Sequence, residues 1–592
     1  VTRALGPRIG LQHEMTAPVA ILAACWLPVL MAGAVWVGGR TASWLTGNGW
    51  SGPPFGVDFA VGLTEAGGLG RAWPGVPSWA VVAMSAAIIG GLGGTAGLAL
   101  VRLRDGRRSG RTAVDPLPSL ASVADVAMLA PRGAAQRAIR LRPSLKSVAI
   151  RSISGSDVGV LLGRLRQVGR DGPDLRASWE DVILAVMAPR AGKTTALAVP
   201  AILDAPAAVV ATSNKADLWA TTHAVRVTET GQRSWVFDPQ GICGVDQTWW
   251  WNPLAGVVTV EDAHRLAGHF IQEIRGDKGA RDFWTSAAHD LLTGLLLAAA
   301  LSDRTLDEVY EWLNDPVLAT PGQVLREVGQ PACAAGISAR QHGAAETREG
   351  VYETARTAAQ CLRDGRIMAW VTPPRSETGL VEFDATGFPT TRQTLYLLSK
   401  DGAGAAAPLV AALTDRVMRE AVRTAERQGG RLDPPVLVVL DEAANVCRIS
   451  DLPDLYSHLG SRGVVPLTIL QSYRQGSRVW GEHGMDTLWS AATCKILGAG
   501  LDDAKLVEDV SRLVGDHDVT IRSVSRGDGR AGESISLRRQ RILPPEEIRA
   551  MPRGSALLLA TGCTPALLRL IPWYTGPRAA DITLALRGGA PT

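Results

Sequence analysis

VILAVMAPRAGKTT, from Val182 to Thr195, is the stretch from which the rest of the chain is read. Six apolar residues suit a buried strand. A glycine-bearing loop follows, and the run LAVPAIL then has helical character. In a strand–loop–helix of this kind the backbone N–H groups wrap phosphate oxygens, and the helix N-terminus adds a favourable dipole. Ala188, Pro189, Arg190, Ala191, Gly192, Lys193, Thr194 and Thr195 therefore form a candidate ATP-binding loop. Lys193 is placed to reach the β- and γ-phosphates, and the Thr194 hydroxyl to hold Mg²⁺. The usual pattern GxxxxGK[ST] has a glycine where this chain has Met187. Since that glycine eases a tight turn, Met187 leads us to expect an altered loop with weaker nucleotide binding.

A second run, VLVVLDEAANV, puts Asp441 and Glu442 at the end of a fully apolar strand. In P-loop motors the aspartate orders Mg²⁺ and the glutamate polarises the attacking water. Two solvated acids closing a strand would be the bland alternative; a GKTT upstream in the same α/β region outweighs it. A third strand, PLTILQS, ends at Gln471, whose amide is a candidate to touch the γ-phosphate or the water. Arg462, in LGSRG just before that strand, is the candidate arginine for a neighbouring subunit's nucleotide.

Outward from these motifs, short β-branched runs alternate with helical patterns from about residue 158. The expected fold is α/β, a RecA-like P-loop NTPase with a mostly parallel sheet. Expected strands are 182–187, 208–211, 234–237, 436–440 and 466–470, with others near 495–497 and 556–559. The nucleotide-binding domain is expected over 158–260 and 371–575. Residues 261–370 break the rhythm with helical runs such as FWTSAAHDLLTGLLLAAAL and read as an all-α insertion domain.

The 592 residues exceed what one core accommodates. Apolar residues make up 46% and charged ones 20%, and mean hydropathy is slightly positive at +0.09, which places part of the chain in lipid. Residues 1–101 are the expected membrane anchor, with uncharged spans at about 17–39 and 79–101 and a short extracytoplasmic loop over 40–78. Gly90-x-x-x-Gly94 and Gly93-x-x-x-Gly97 are spaced for close helix packing. Arg102, Arg104, Arg107, Arg108 and Arg111 crowd the end of the second span, so both termini and the large C-terminal domain are expected to be cytoplasmic in a two-span cell-membrane protein. A signal peptide over 1–34 is the rival reading, since Ala32-Gly33-Ala34 fits a cleavage pattern. Residues 102–157 read as a basic linker and irregular lead-in. Net charge is only +4, so any nucleic-acid surface must be local. Seven cysteines without CxxC spacing, and nine histidines without a His/Cys cluster, argue against a disulfide framework and a structural zinc.

With these residues in place, the chain resembles the type IV secretion coupling proteins, the TraG/TraD-like conjugation ATPases, and especially their actinobacterial forms. The likeness spans roughly 158–570 and runs through VGVLLGR, TSNKADLW, VFDPQG with WWWNPL, LDEAANV, LPDLYSHLGSRG, ILQSYRQ and RRQRILPPEEIRAMPRGSALLLATG. It implies a hexameric ring that uses ATP and Mg²⁺, binds DNA (single-stranded in expectation) and links a relaxase–DNA complex to the secretion channel. Lys193, Thr194, Asp441, Glu442 and Gln471 match the family's site positions. Two alternatives stay open. A non-hydrolysing docking receptor is motivated by Met187; an FtsK-like DNA pump is disfavoured by the short tail after Tyr574. Trp249, Trp250 and Trp251 fit a core role better than base stacking, and Arg538, Arg539 and Arg541 form a basic patch that could face phosphates.

Overall fold

A computed structural model describes residues 16–65, 67–91, 115–274, 283–376, 379–402, 404–527 and 530–588. It divides into two compact units, Val1–Val114 and Asp115–Thr592.

In the first unit a helix runs Thr16–Leu45, two short helices follow at Val57–Gly62 and Gly68–Ala72, and residues 78–91 are helical. Ala42, Phe59, Trp73, Val76 and Val81 form its small core. A Cβ on Gly38 would sit 2.7 Å from the Ser85 backbone nitrogen, so this glycine is what lets the two long helices touch. Of the glycines expected to pack closely, Gly90 has open space around it among the described residues, and Gly93, Gly94 and Gly97 lie outside them. The first helix continues past Arg40, so the expected loop 40–78 begins only after Leu45. Among the described residues no helix is long and apolar enough to cross a membrane, and residues 92–101 of the second expected span lie outside them.

The second unit is built on one large sheet. Its strands, with those of two small sheets, are β1 (Gly159–Gln167), β2 (Arg170–Ser178), β3 (Ile183–Val186), β4 (Val209–Ser213), β5 (Ser234–Phe237), β6 (Trp249–Trp250), β7 (Val381–Glu382), β8 (Thr394–Leu398), β9 (Val436–Leu440), β10 (Val464–Leu470), β11 (Cys494–Gly498), β12 (Asp516–Gly527), β13 (Arg530–Arg541), β14 (Ser555–Ala560) and β15 (Ala566–Arg569). The large sheet has the order β2-β1-β15-β14-β11-β3-β10-β9-β4-β8-β5. From β11 to β5 all neighbours are parallel; β14, β15, β1 and β2 add an antiparallel edge.

The parallel strands are apolar throughout because both faces are covered. Leu184, Val186, Val438 and Leu440 enter one core; Ile183, Ala185, Leu437 and Val439 enter the other, on the opposite face. The first of these cores also takes in the helices that run from Val260–Ile271 to Gly365–Met368, a stretch with no strand among the described residues. β6 pairs with β7 in parallel across the neck of this helical segment.

The expected linker is corrected from residue 115 onward. The helix Pro131–Leu141 buries Ala134, Ala135 and Ala138. Arg137 forms a two-pronged pair with Asp181 at 3.0 Å, and Arg142 reaches Asp433 at 3.0 Å and the Asp157 carbonyl at 3.1 Å. Arginines that look solvated in sequence are thus interior partners, and the compact unit begins at Asp115 rather than 158.

Candidate functional site

The loop 188–193 leaves β3 at its C-terminal end, and Asp441 and Gln471 follow the C-terminal ends of β9 and β10. Since the three strands are parallel, all three tips open on the same edge of the sheet. β10 lies between β3 and β9, so the lysine-bearing and acid-bearing strands are not adjoining. They converge because Lys193 and Glu442 reach across the tip of β10. Lys193 Nζ pairs with Glu442 Oε1, and Gln471 Nε2 donates to Glu442 Oε2 at 2.6 Å. The Thr194 hydroxyl donates to Asp441 Oδ2 at 3.0 Å.

The loop turns through two left-handed residues, Arg190 at φ 62° and Gly192 at φ 97°. Met187 is not one of them, so the turn does not need glycine there. Its side chain is wholly buried instead, against β11. A Cβ on Gly498 would lie 2.6 Å from Met187 Cγ, and one on Gly500 would lie 2.8 Å from the Ala188 Cβ. The space that a glycine would have left in the loop is left by Gly498 and Gly500 across the strand. Beyond the loop, Thr194–Ala198 is a π-helical turn before Val199–Asp204. Pro200, without an N–H, cannot continue the regular ladder there, which accounts for the widened turn.

Glu442 itself is left-handed at φ 57°, a strained state for a residue with a side chain and a common mark of a working site. Asp441 is 3% exposed. Burial pushes its carboxyl up to about 6, against the pull of Lys193; Glu442 adds to the rise, the Thr194 hydroxyl opposes it, and Asp217 adds a little more. Its Oδ2 has the Thr194 hydroxyl, but its buried Oδ1 has no hydrogen-bond partner among the described residues. A buried carboxylate oxygen that receives no hydrogen bond among the described residues fits a cation, and with the Thr194 hydroxyl alongside, the donors are the hard oxygens that Mg²⁺ takes. The arrangement can therefore hold a magnesium–triphosphate at Lys193, Thr194 and Asp441, with Glu442 and Gln471 over the same edge.

Other sequence candidates fall elsewhere. Arg462 precedes β10 and so lies at the opposite end of that seven-residue strand, ~23 Å from its tip at about 3.3 Å per residue. It contacts the Gly430 carbonyl at 3.4 Å and Glu426 at 3.7 Å, so within the chain it is not part of the cluster. Trp249, Trp250 and Trp251 are buried, and Trp249 packs edge-on to Trp235 and Trp370. Arg539 and Arg541 lie 3.4 and 3.6 Å from Asp516, while Arg538 is exposed. Residues missed in sequence are Thr212, whose hydroxyl meets the Asp441 carbonyl at 3.3 Å, and the amides Asn445 and Gln475. The S-x-x-Q spacing of Ser472 and Gln475 was the available signal for the last.

A mostly parallel sheet with these three strand tips is similar to that of RecA-like P-loop NTPases. Comparison with known proteins narrows the class. Residues 435–553 match the family described as the TraM recognition site of TraD and TraG. The VirD4 proteins of Rhizobium rhizogenes and Agrobacterium fabrum are each 23% identical over 402 residues, 66% of this chain and 58% of theirs, so the chain spans less than two thirds of these relatives. The bacterial conjugative coupling protein TrwBdeltaN70, in its unbound monoclinic form, superposes with a TM-score of 0.51 at 18% identity, over 73% of this chain and 91% of that one. TrwB has also been solved in complex with ADP and Mg²⁺, at a TM-score of 0.49. Together the likenesses support a type IV coupling protein of the TraG/TraD/VirD4 kind.

Proposed function

We propose that this chain is an ATPase that couples hydrolysis to the recruitment and transfer of DNA, as a relaxase–DNA complex, into a conjugation or type IV secretion channel. The observation that carries the reading is the meeting of Lys193, Thr194, Asp441, Glu442 and Gln471 on one edge of the sheet. In this reading Lys193 binds the β- and γ-phosphates, and Thr194 and Asp441 hold Mg²⁺, which supplies charge neutralisation at the phosphates. Glu442 accepts a proton from the attacking water, and Gln471 orients water and glutamate. The buried position of Met187 supports an intact loop, which weighs against the docking-receptor alternative. The DNA, relaxase and channel partners rest on the likeness to VirD4 and TrwB. A homo-hexameric ring, a two-span anchor in the cell membrane, cytoplasmic placement of the large unit and a role for Arg462 in a neighbouring subunit belong to the same proposal.

The test is Mg²⁺-dependent ATP hydrolysis by the assembled protein with and without single-stranded DNA. Lys193→Ala and Glu442→Gln are expected to lower kcat by ~100-fold or more. Equal rates in wild type and both variants would leave only a docking receptor.

A further inference from the structure

Glu442 and Gln471 have to be held as a pair, and neither is held by its own element alone. Glu442 stands in a left-handed conformation after β9, and Gln471 is the first residue past β10. The backbone N–H of Gln471 donates to Gln475 Oε1 at 3.1 Å, and Gln475 Nε2 donates to Asn445 Oδ1 at 2.7 Å. The N–H of Asn445 in turn donates to the Glu442 carbonyl at 2.8 Å. With the Gln471–Glu442 side-chain bond at 2.6 Å, these contacts close a ring that passes through both residues and ties the turn Ala443–Val446 to the helix Tyr473–Ala491.

The position of Gln475 makes this more than a helix cap. Ser472 caps that helix by accepting from the Gln475 N–H at 3.2 Å. In a reciprocal capping box the Gln475 side chain would bond back to the Ser472 N–H. Here it reaches one residue further, to Gln471, and spends its amide N–H on Asn445. Both of its polar atoms are thus committed to the elements that carry the site.

We infer that Gln475 and Asn445 are positioning residues: their amide–amide link sets the distance between Gln471 and Glu442 and so the orientation of the water that attacks the γ-phosphate. This rests on the ATPase reading above. Neither amide touches the cluster of Lys193, Thr194 and Asp441 in any contact described, so their loss should spare nucleotide binding.

Gln475→Leu and Asn445→Ala in the full chain are each expected to lower kcat about ten-fold, the scale seen when an outer partner orienting a reacting group is removed, with KM for ATP unchanged. Because the two side chains form one link, the double variant should be no slower than the slower single variant. Asn445→Ala leaves the cap of Tyr473–Ala491 alone, so it reads the link even where Gln475→Leu fails to fold. Wild-type kcat in Asn445→Ala, or losses confined to KM and thermal midpoint, would overturn the inference while leaving the ATPase intact. A wild-type rate no higher than that of Lys193→Ala would instead remove the ATPase reading, and the inference with it.

Discussion

Two buried aspartates divide the molecule's electrostatics between them. Asp415, in the helix Ala407–Arg427, is fully buried; Arg265 grips both of its oxygens at 2.8 and 3.1 Å, His269 Nε2 lies 3.3 Å away, and Arg419 Nε stands at 3.2 Å, off the hydrogen-bonding direction. Burial alone would raise its carboxyl, but His269, Arg265 and Arg419 hold it well below the usual carboxylate range. Asp441 is nearly as buried and is left with one hydroxyl and, among the described residues, one oxygen without a hydrogen bond, so its carboxyl goes up instead. Similar burial gives opposite shifts because Asp415 has two arginines and a histidine against its carboxylate, whereas Asp441 feels Lys193 only at a distance. The first ties the helix Val260–Ile271 to the sheet domain, and Arg265 extends the tie to Asp451. The second keeps its charge available for something the chain does not itself supply. A structural acid and a site acid are told apart by this accounting of partners, not by depth.

The contrast can be broken most directly at Asp415. Asp415→Ala leaves Arg265 and Arg419 facing an uncompensated interior, and a loss of about 3–5 kcal/mol is expected in denaturant unfolding. Since the folded carboxyl is depressed, the wild-type contribution is present above the unfolded value near 3.8 and is lost only as pH falls through the lower folded value. Asp441→Asn should act in the other direction. Its folded carboxyl is raised to about 6, so its favourable contribution is complete below about 3.8 and is lost as pH rises through 6. The asparagine variant should therefore be more stable than wild type at pH 7, by on the order of 2 kcal/mol, with the gain vanishing near pH 4. Nucleotide binding in that variant should lose its dependence on Mg²⁺. Unchanged stability at both pH values would mean that Asp441 is not strained by its burial.

A finer test concerns the loop beneath Asp441. Gly498→Ala places a methyl against Met187 and should cost about 1–2 kcal/mol and weaken ATP binding; Met187→Ala in the same chain should restore both. Failure of that rescue would break the pairing of Met187 with β11. Arg462→Ala, at the far end of β10, should change thermal stability of the isolated subunit by no more than about 0.5 kcal/mol.

Much of the site was legible because it is local. GKTT after VILAVM, and DE after VLVVL, combine a short motif with a buried-strand pattern. What was not legible depended on contacts distant in sequence. TLYLL, now β8, is a buried strand in a region without other strand signals, β2 at the sheet edge is mostly polar, and β15 is only four residues long. Residues 115–157 looked like a linker because arginine spacing does not reveal that Asp181 and Asp433 wait for Arg137 and Arg142.

The sequence by itself determined the α/β character, the strand–loop–helix around GKTT and the acid pair, because each is written in the periodicity and chemistry of a few adjacent residues. Only the tertiary structure decided that β10 separates the lysine strand from the acid strand, that Met187 is housed by Gly498, that one oxygen of Asp441 has no hydrogen-bond partner among the described residues while Asp415 has three partners, and that Gln475 meets Asn445. These are pairings between residues tens to hundreds of positions apart. Strand order and side-chain reach set them, and no local pattern encodes either.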